Sequence, residues 1–201
     1  MAQYAAVIPA AGLSSRMGAF KPLLALNGKP MIDHVIDTFE AAGAAPIVLV
    51  TGHRAEELRN HLKNRKVTIV FNENYAATHM MDSIKIGLAA LKDGYEGVFI
   101  TPGDVPLFSV ETLDALIKSG LPAVRPVWQG SGGHPVFLRR EAASFVGTYD
   151  GPGGLRGALE ELHLRDLCLN DQGALADADT PEDFKKLQAL AAEIKTQTTE
   201  I

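Results

Sequence analysis

Ala5-Ala6-Val7-Ile8-Pro9-Ala10-Ala11-Gly12-Leu13-Ser14-Ser15-Arg16-Met17-Gly18-Ala19-Phe20-Lys21-Pro22-Leu23-Leu24 decides the reading of this chain. A short apolar strand runs into a turn of small residues, and two cations follow at fixed spacing. Small residues let a backbone approach a ligand closely, and their free N–H groups can hold phosphate oxygens. Arg16 and Lys21 add charge suited to a polyphosphate. Neither Gly-x-x-x-x-Gly-Lys-Ser/Thr nor Gly-x-Gly-x-x-Gly is present, so the run is neither a P-loop nor the dinucleotide fingerprint. Taken alone, these residues fit an ordinary strand-to-helix loop with two solvated cations equally well.

Outward from this run, short apolar segments alternate with helical patterns. Residues 46–50, 67–71 and 97–100 read as strands. Residues 31–42, 55–64 and 80–91 carry apolar residues at helical spacing, as in Ile32, Val35, Ile36 and Phe39. Such alternation predicts an α/β fold with a parallel sheet covered on both faces. After residue 120 the pattern changes. Residues 123–128 and 135–138 read as two strands joined by Gln129-Gly130-Ser131-Gly132-Gly133-His134. Residues 139–146 and a segment after Gly151-Pro152-Gly153-Gly154 read as helices, and 166–169 as a strand. Thr180-Pro181-Glu182-Asp183 has an N-cap, a first-turn Pro and first-turn acids, and starts a helix to about Ile194. Residues 195–201 are polar and predicted to be a flexible tail.

The 201 residues suffice for one good-sized domain, with 46% hydrophobic and 21% charged residues and a net charge of −5. No dense basic stripe points to nucleic acid. No apolar run is long enough for a membrane span, and no signal-peptide pattern opens the chain, so a cytoplasmic location is the default expectation. The single cysteine, Cys168, excludes an internal disulfide and a cysteine-based metal cluster. Its neighbours Leu167 and Leu169 predict a buried structural position.

Ligands of open parallel sheets bind beyond the carboxyl ends of the strands. Thr51-Gly52-His53, Asn72-Glu73-Asn74 and Thr101-Pro102-Gly103-Asp104 fall there, beside the opening loop. Asp104 is the best metal-ligand candidate, because a carboxylate facing a phosphate loop suits a hard cation. An Asp between two prolines also suits a plain turn. Asp177 and Asp179 face one side if residues 176–179 are extended. Asp179 is taken as the second carboxylate, against the alternative that both acids favour the following helix N-terminus. Ser83 has a hydroxyl able to read a base edge, and Asp82 is alternatively an N-cap. Trp128 and Gln129 offer a stacking face and a hydrogen bond for a flat heterocycle, or core packing. His53 stays open.

Pro9-Ala10-Ala11-Gly12-x-Ser14-x-Arg16-Met17-Gly18-x-x-Lys21 resembles the signature loop of the nucleotidyltransferases that finish the molybdenum cofactor. Its Ala-Ala-Gly form resembles the cytidylyl-transferring branch; the guanylyl-transferring branch has Gly-Gly there. Gly103-Asp104-Val105-Pro106, Ser83-Ile84-x-x-Gly87-Leu88, Gly133-His134-Pro135 and Asp177-x-Asp179-Thr180-Pro181-Glu182-Asp183 resemble further motifs of that family, in order. His79-Met80-Met81-Asp82 departs from it.

The resemblance implies a three-layer α/β/α Rossmann-like nucleotidyltransferase fold, mostly parallel, with an antiparallel insertion after residue 120. It implies one domain over residues 1–194, with a nucleotide-binding part to about residue 106 and an acceptor-binding part beyond. The implied reaction is magnesium-dependent transfer of CMP from CTP to a molybdopterin-type cofactor, with release of pyrophosphate. Ala10, Ala11, Gly12, Leu13, Ser14, Arg16, Lys21, Thr51, Asn72, Ser83 and Gly103 are the implied nucleotide contacts. Arg16, Lys21 and Asp104 are the catalytic residues, Asp104 and Asp179 the Mg2+ ligands, and Gly133, His134 and Pro135 the acceptor contacts. Docking to a molybdoenzyme is a further implication. GTP, a sugar or polyol phosphate acceptor, and a cofactor-binding chaperone without chemistry are the alternatives.

Overall fold

The computed structural model describes residues 3–13 and 17–199. The Ser14 and Arg16 assignments therefore lie outside the described residues. Strand β1 (Tyr4–Ala10) leads, through the opening loop and a one-turn helix at Lys21–Leu23, into a small hairpin, β2 (Ala25–Leu26) and β3 (Lys29–Pro30). Helix α1 (Met31–Ala41), β4 (Ile47–Thr51), α2 (Ala55–His61), β5 (Val67–Phe71), α3 (Met80–Ala89), β6 (Gly97–Ile100) and α4 (Val110–Lys118) follow. The second part holds β7 (Ala123–Trp128), β8 (Ser131–Gly132), β9 (Val136–Arg139), α5 (Arg140–Thr148), α6 (Gly154–Glu161), β10 (Arg165–Cys168) and α7 (Pro181–Thr199).

The sheet runs in the order β10-β7-β9-β6-β1-β4-β5, with β8 on β7. Strand β1 pairs in parallel with β4 and β6, and β4 in parallel with β5. Strand β9 runs antiparallel to both β6 and β7, which is the insertion expected after residue 120. Strand β10 lies parallel to β7. Because side chains alternate along a strand, β1 feeds two cores. Ala6, Ile8 and Ala10 pack under α1, α2 and α4 with Phe39, Phe99 and Phe137. Ala5 and Val7 pack against α3, α5 and α6. Three layers result, as expected for this fold class.

Several local expectations change. The periodicity argument leaves the segment before residue 120 without an element, and α4 stands there. Its signal is present: Ser109 caps it by accepting from the Thr112 N–H at 3.2 Å, and Leu113 and Leu116 are fully buried. Such a cap contributes about 1 kcal/mol. Cys168 is exposed rather than buried. It lies on an edge strand, where alternation sends it to the face opposite Leu167. Gln129 and Gly130 both have positive φ, 48° and 82°, and form the tight turn between β7 and β8. Trp128 is half-buried rather than a core residue. Helix α7 runs on to Thr199, past the expected end at Ile194. No described helix is long and apolar enough to cross a membrane.

Helix α7 positions the site. Leu187 and Ala191 pack on Leu26 and Met31, together with Ala178. The Asn27 side chain donates to the Ala191 carbonyl at 3.0 Å. Through this docking the segment before α7 returns to the loop that follows β1.

Candidate active site

The carboxyl ends of β1 and β6 open into a cleft of about 290 Å3, lined by Ala10, Gly12, Leu13, Lys21, Gly103, Asp104 and Asp179. Seven residues named from sequence thus meet in one place. Lys21 is buried at its centre. Its ammonium donates to Asp104 Oδ2 at 3.0 Å and to Asp179 Oδ1 at 2.6 Å, across 83 and 158 positions of sequence. Burial alone pulls the Lys21 pKa down, but the hydrogen bonds and charges of Asp179 and Asp104 hold it above the ordinary lysine value.

Asp177 joins the same group from a recess of about 350 Å3 that it lines with Asp104, Asp179, Met80, Gly133 and His134. Its carboxyl is pushed up, first by burial and then by the charges of Asp179, Asp104 and Asp183. Acids crowd this edge. Two carboxylate oxygens converge on one cation position, and oxygen donors of this kind suit a hard divalent ion. Among the described residues no group of three or more His, Cys, Asp or Glu side chains is placed to hold a metal. Two carboxylates completed by phosphates and water fit magnesium, which rarely takes an all-protein cage.

The loop is held from behind. Ala10 and Ala11 are buried, and the Ala11 carbonyl accepts from the His53 N–H at 3.3 Å. Gly52 is wedged against this loop. A Cβ there would lie 2.5 Å from Tyr75 Cβ and 2.7 Å from the Ala11 carbonyl oxygen. Sequence reasoning quoted Gly52 only as part of a strand-end loop; its spacing role appears once Tyr75 is brought against it. Met80, 54% exposed, lines both the cleft and the recess; from sequence it was read as a helix start, within the His79–Asp82 stretch that departs from the family pattern, and not as a site residue.

Thr51, Asn72 and Ser83 form a separate buried set and do not line the cleft. Thr51 Oγ1 donates to the Val70 carbonyl at 3.2 Å. Asn72 Nδ2 donates to Thr78 Oγ1 at 3.0 Å and to Ser83 Oγ at 3.2 Å. Asp82 is not the N-cap of α3; His79 is, and Asp82 Oδ2 accepts from its N–H at 2.8 Å from the third helical position. Gly133 and His134 line the recess beside Asp177, and Pro135 is buried.

Comparison with known proteins identifies the family and the fold. The molybdenum cofactor cytidylyltransferase of Escherichia coli K12 is 30% identical over 182 residues, covering 89% of this chain and 92% of its own length. Among solved structures, a nucleotidyl transferase from Methanothermobacter thermautotrophicus, Mth528, superposes with a TM-score of 0.82 at 22% identity, over 96% of this chain and 99% of that one. Rv0371c of Mycobacterium tuberculosis in complex with manganese gives 0.79 at 22% identity, over 94% and 98%. The description of the MobA-like NTP transferase domain matches residues 6–166. The chain is a nucleotidyltransferase and belongs to the MobA-like NTP transferase family.

Proposed function

We propose that this nucleotidyltransferase moves CMP from CTP to a molybdopterin-type molybdenum cofactor and releases pyrophosphate. The observation that carries the reading is the Lys21 ammonium held between Asp104 and Asp179 at the end of β1. An oxygen of the acceptor's phosphate monoester attacks the α-phosphorus, the bond to the bridging oxygen of the β-phosphate breaks, and pyrophosphate leaves with that electron pair. A phosphate monoester is already an anionic nucleophile, so positioning and charge neutralisation supply most of the acceleration.

The loop after β1, with Gly12 and Leu13 on the cleft wall, cradles the triphosphate. Lys21 neutralises the charge that grows on the leaving pyrophosphate. Asp104 and Asp179 would hold Mg2+, which when bound offsets phosphate charge and polarises the reacting phosphoryl group. Local chemistry supports the metal: Asp104, Asp177 and Asp179 gather carboxylate oxygens at one edge, and a triphosphate entering there adds further oxygen donors and negative charge. The manganese complex of the structural neighbour agrees with a divalent ion in this fold. The choice of CTP is supported by Ala10-Ala11-Gly12 and by the Escherichia coli relative.

Pyrophosphate release tests the reading. CTP with molybdopterin-type cofactor and Mg2+ is expected to give turnover, GTP much less, and EDTA none. Equal turnover with GTP would remove the cytidylyl assignment, and release with only a sugar or polyol phosphate would replace the acceptor.

A further inference from the structure

A row of rings runs from the edge of the sheet to the residue that precedes Lys21. Phe71 ends β5 and meets Tyr75, with ring centroids 6.3 Å apart. Tyr75 meets His53 at 6.4 Å, and His53 meets Phe20 edge-on at 6.1 Å. Phe20 is buried and caps the one-turn helix that begins with Lys21. The Arg54 guanidinium lies over the Phe20 ring, 4.9 Å from its centroid, and is itself held by Glu57. Neither His53 nor Tyr75 lines the cleft or the recess.

We propose that His53 and Tyr75 are positioning residues that set where Lys21 stands. The proposal rests on the transfer reading above for what Lys21 does, and extends it to residues that do not line the cleft. Three observations carry it. First, His53 holds both flanks of the opening loop. Its backbone N–H donates to the Ala11 carbonyl at 3.3 Å, and its ring packs on Phe20. From Phe20 the hold continues into the helix, where the Phe20 carbonyl accepts from the Leu23 N–H at 3.2 Å and the Lys21 carbonyl from the Leu24 N–H at 3.0 Å. A lysine has a long, flexible stem, so its backbone must be fixed if the ammonium is to meet Asp104 and Asp179 together.

Second, Tyr75 fixes His53 in turn. It presses on Gly52 so closely that no side chain fits between them, and its ring meets the His53 ring. Third, the turn that carries Tyr75 is itself anchored. The Tyr75 N–H donates to the Asn72 carbonyl at 3.2 Å, and the Asn72 N–H to the Thr51 carbonyl at 2.8 Å. The Asn72 side chain is buried and donates to Ser83 and Thr78. Thr51, Asn72 and Ser83 thus act as the footing of the brace, although they stand outside the cleft. Each ring contact is modest by itself, so removing one loosens the row without unfolding the domain.

The test reads Lys21 directly. Ligand-free, full-length protein is treated with an amine-specific acylating reagent, and the rate at each lysine is followed by mass spectrometry. In the wild type Lys21 is expected to react slowly, because its side chain is 11% exposed and donates to two carboxylates. His53→Ala and Tyr75→Ala are expected to speed Lys21 at least about threefold through local opening. Lys85, which is paired with Asp150 on another part of the surface, should keep its rate. His53→Phe and Tyr75→Phe retain a ring and are expected to restore the wild-type rate at Lys21. An unchanged Lys21 in both alanine variants, a rise that the phenylalanine variants share, or an equal rise at Lys85, which would mark a general loss of stability, overturns the proposal. If Tyr75→Ala does not fold, His53→Ala decides by the same criteria. In pyrophosphate release, His53→Ala is expected to lower kcat/KM for CTP about tenfold or more, with acceptor KM unchanged. Wild-type kinetics in a variant whose Lys21 is loosened would also overturn the positioning role. A wild-type protein that releases no pyrophosphate defeats the transfer reading instead, and the acylation rates still decide the brace.

Discussion

Two clusters of acids in this molecule are built to opposite ends. Along α1, Asp33, Asp37 and Glu40 meet Lys29, His61 and Arg65. Arg65 Nη2 reaches Asp37 Oδ1 at 2.6 Å and Glu40 Oε2 at 3.0 Å, His61 lies 2.8 Å from Asp33, and Lys29 pairs with Asp37. At the cleft, Asp104, Asp177 and Asp179 gather around Lys21. The directions of the carboxyl pKa values follow. Partial burial pulls Asp37 up, yet hydrogen bonds and charges from Lys29 and Arg65 bring it below its ordinary value. Asp177 goes up, because burial and its acidic neighbours act together. The first cluster is closed on itself. Among the described residues the second gathers three carboxylates at one edge, oxygen donors that suit a divalent cation. Interleaved charge marks scaffold here, and acids raised by their acidic neighbours mark the candidate site.

The sharpest way to break this contrast is Lys21→Ala. Removing the cation from the acidic edge is expected to lower the transfer rate about 100- to 1,000-fold, as loss of one preorganised charge does. Steady-state pyrophosphate release measures it, and unchanged kinetics would strip Lys21 of its role. Asp104→Asn is expected to cut turnover about 100-fold and to raise the Mg2+ concentration needed for half-maximal rate. An unaltered Mg2+ dependence would separate Asp104 from the metal.

Gly52→Ala probes shape instead of charge. The added methyl must displace Tyr75 or the Ala11 carbonyl, so the loop moves while every charge stays. A loss of about 10- to 100-fold in kcat/KM for CTP is expected, with little change in acceptor KM. An equal loss for both substrates would show that the two halves of the site move together.

The smallest effects concern stability. Asp37→Asn is expected to cost under about 1 kcal/mol, because the pairs are partly exposed. The folded-state pKa of Asp37 lies below its unfolded value of 3.8. Its contribution is therefore present above pH 3.8 and lost as pH falls through the folded value. Urea midpoints of wild type and variant should converge in acid. Asp177→Asn removes one charge from the crowded cluster, and in EDTA it should raise the urea midpoint slightly, by roughly 0.5 kcal/mol or less. A fall instead would mean that Asp177 is paired as firmly as Asp37.

The balance between the two clusters also explains what the amino-acid sequence discloses. The meeting of the opening loop, Lys21 and Asp104 at one edge was legible because its elements are local, whereas Thr51, Asn72 and Ser83 fall outside the cleft. An apolar strand, small residues and Lys21 lie within one short run, and Asp104 ends a recognisable strand. The fold was legible for the same reason, since each strand and helix from β1 to β6 carries its own period. Helix α4 carried a cap and an apolar stripe too, and shows that a short pattern between turns is easily passed over. Gly52 was not legible, because its meaning depends on Tyr75, a residue brought against it only by the pairing of β4 with β5. Cys168 misled because two flanking leucines suggest burial, whereas alternation on an edge strand turns the cysteine outward.

The docking of α7 on the β2–β3 hairpin has a consequence for the order of synthesis. Lys21 and Asp179 are 158 positions apart, and Asp179 also lies beyond the matched span that ends at residue 166. A growing chain makes Lys21 early and Asp179 late. Until the ribosome has released the segment that carries Asp179 and α7, Lys21 lacks one of its two carboxylate partners. The Lys21 cluster is therefore completed in one late step, when the last helix clasps the first hairpin.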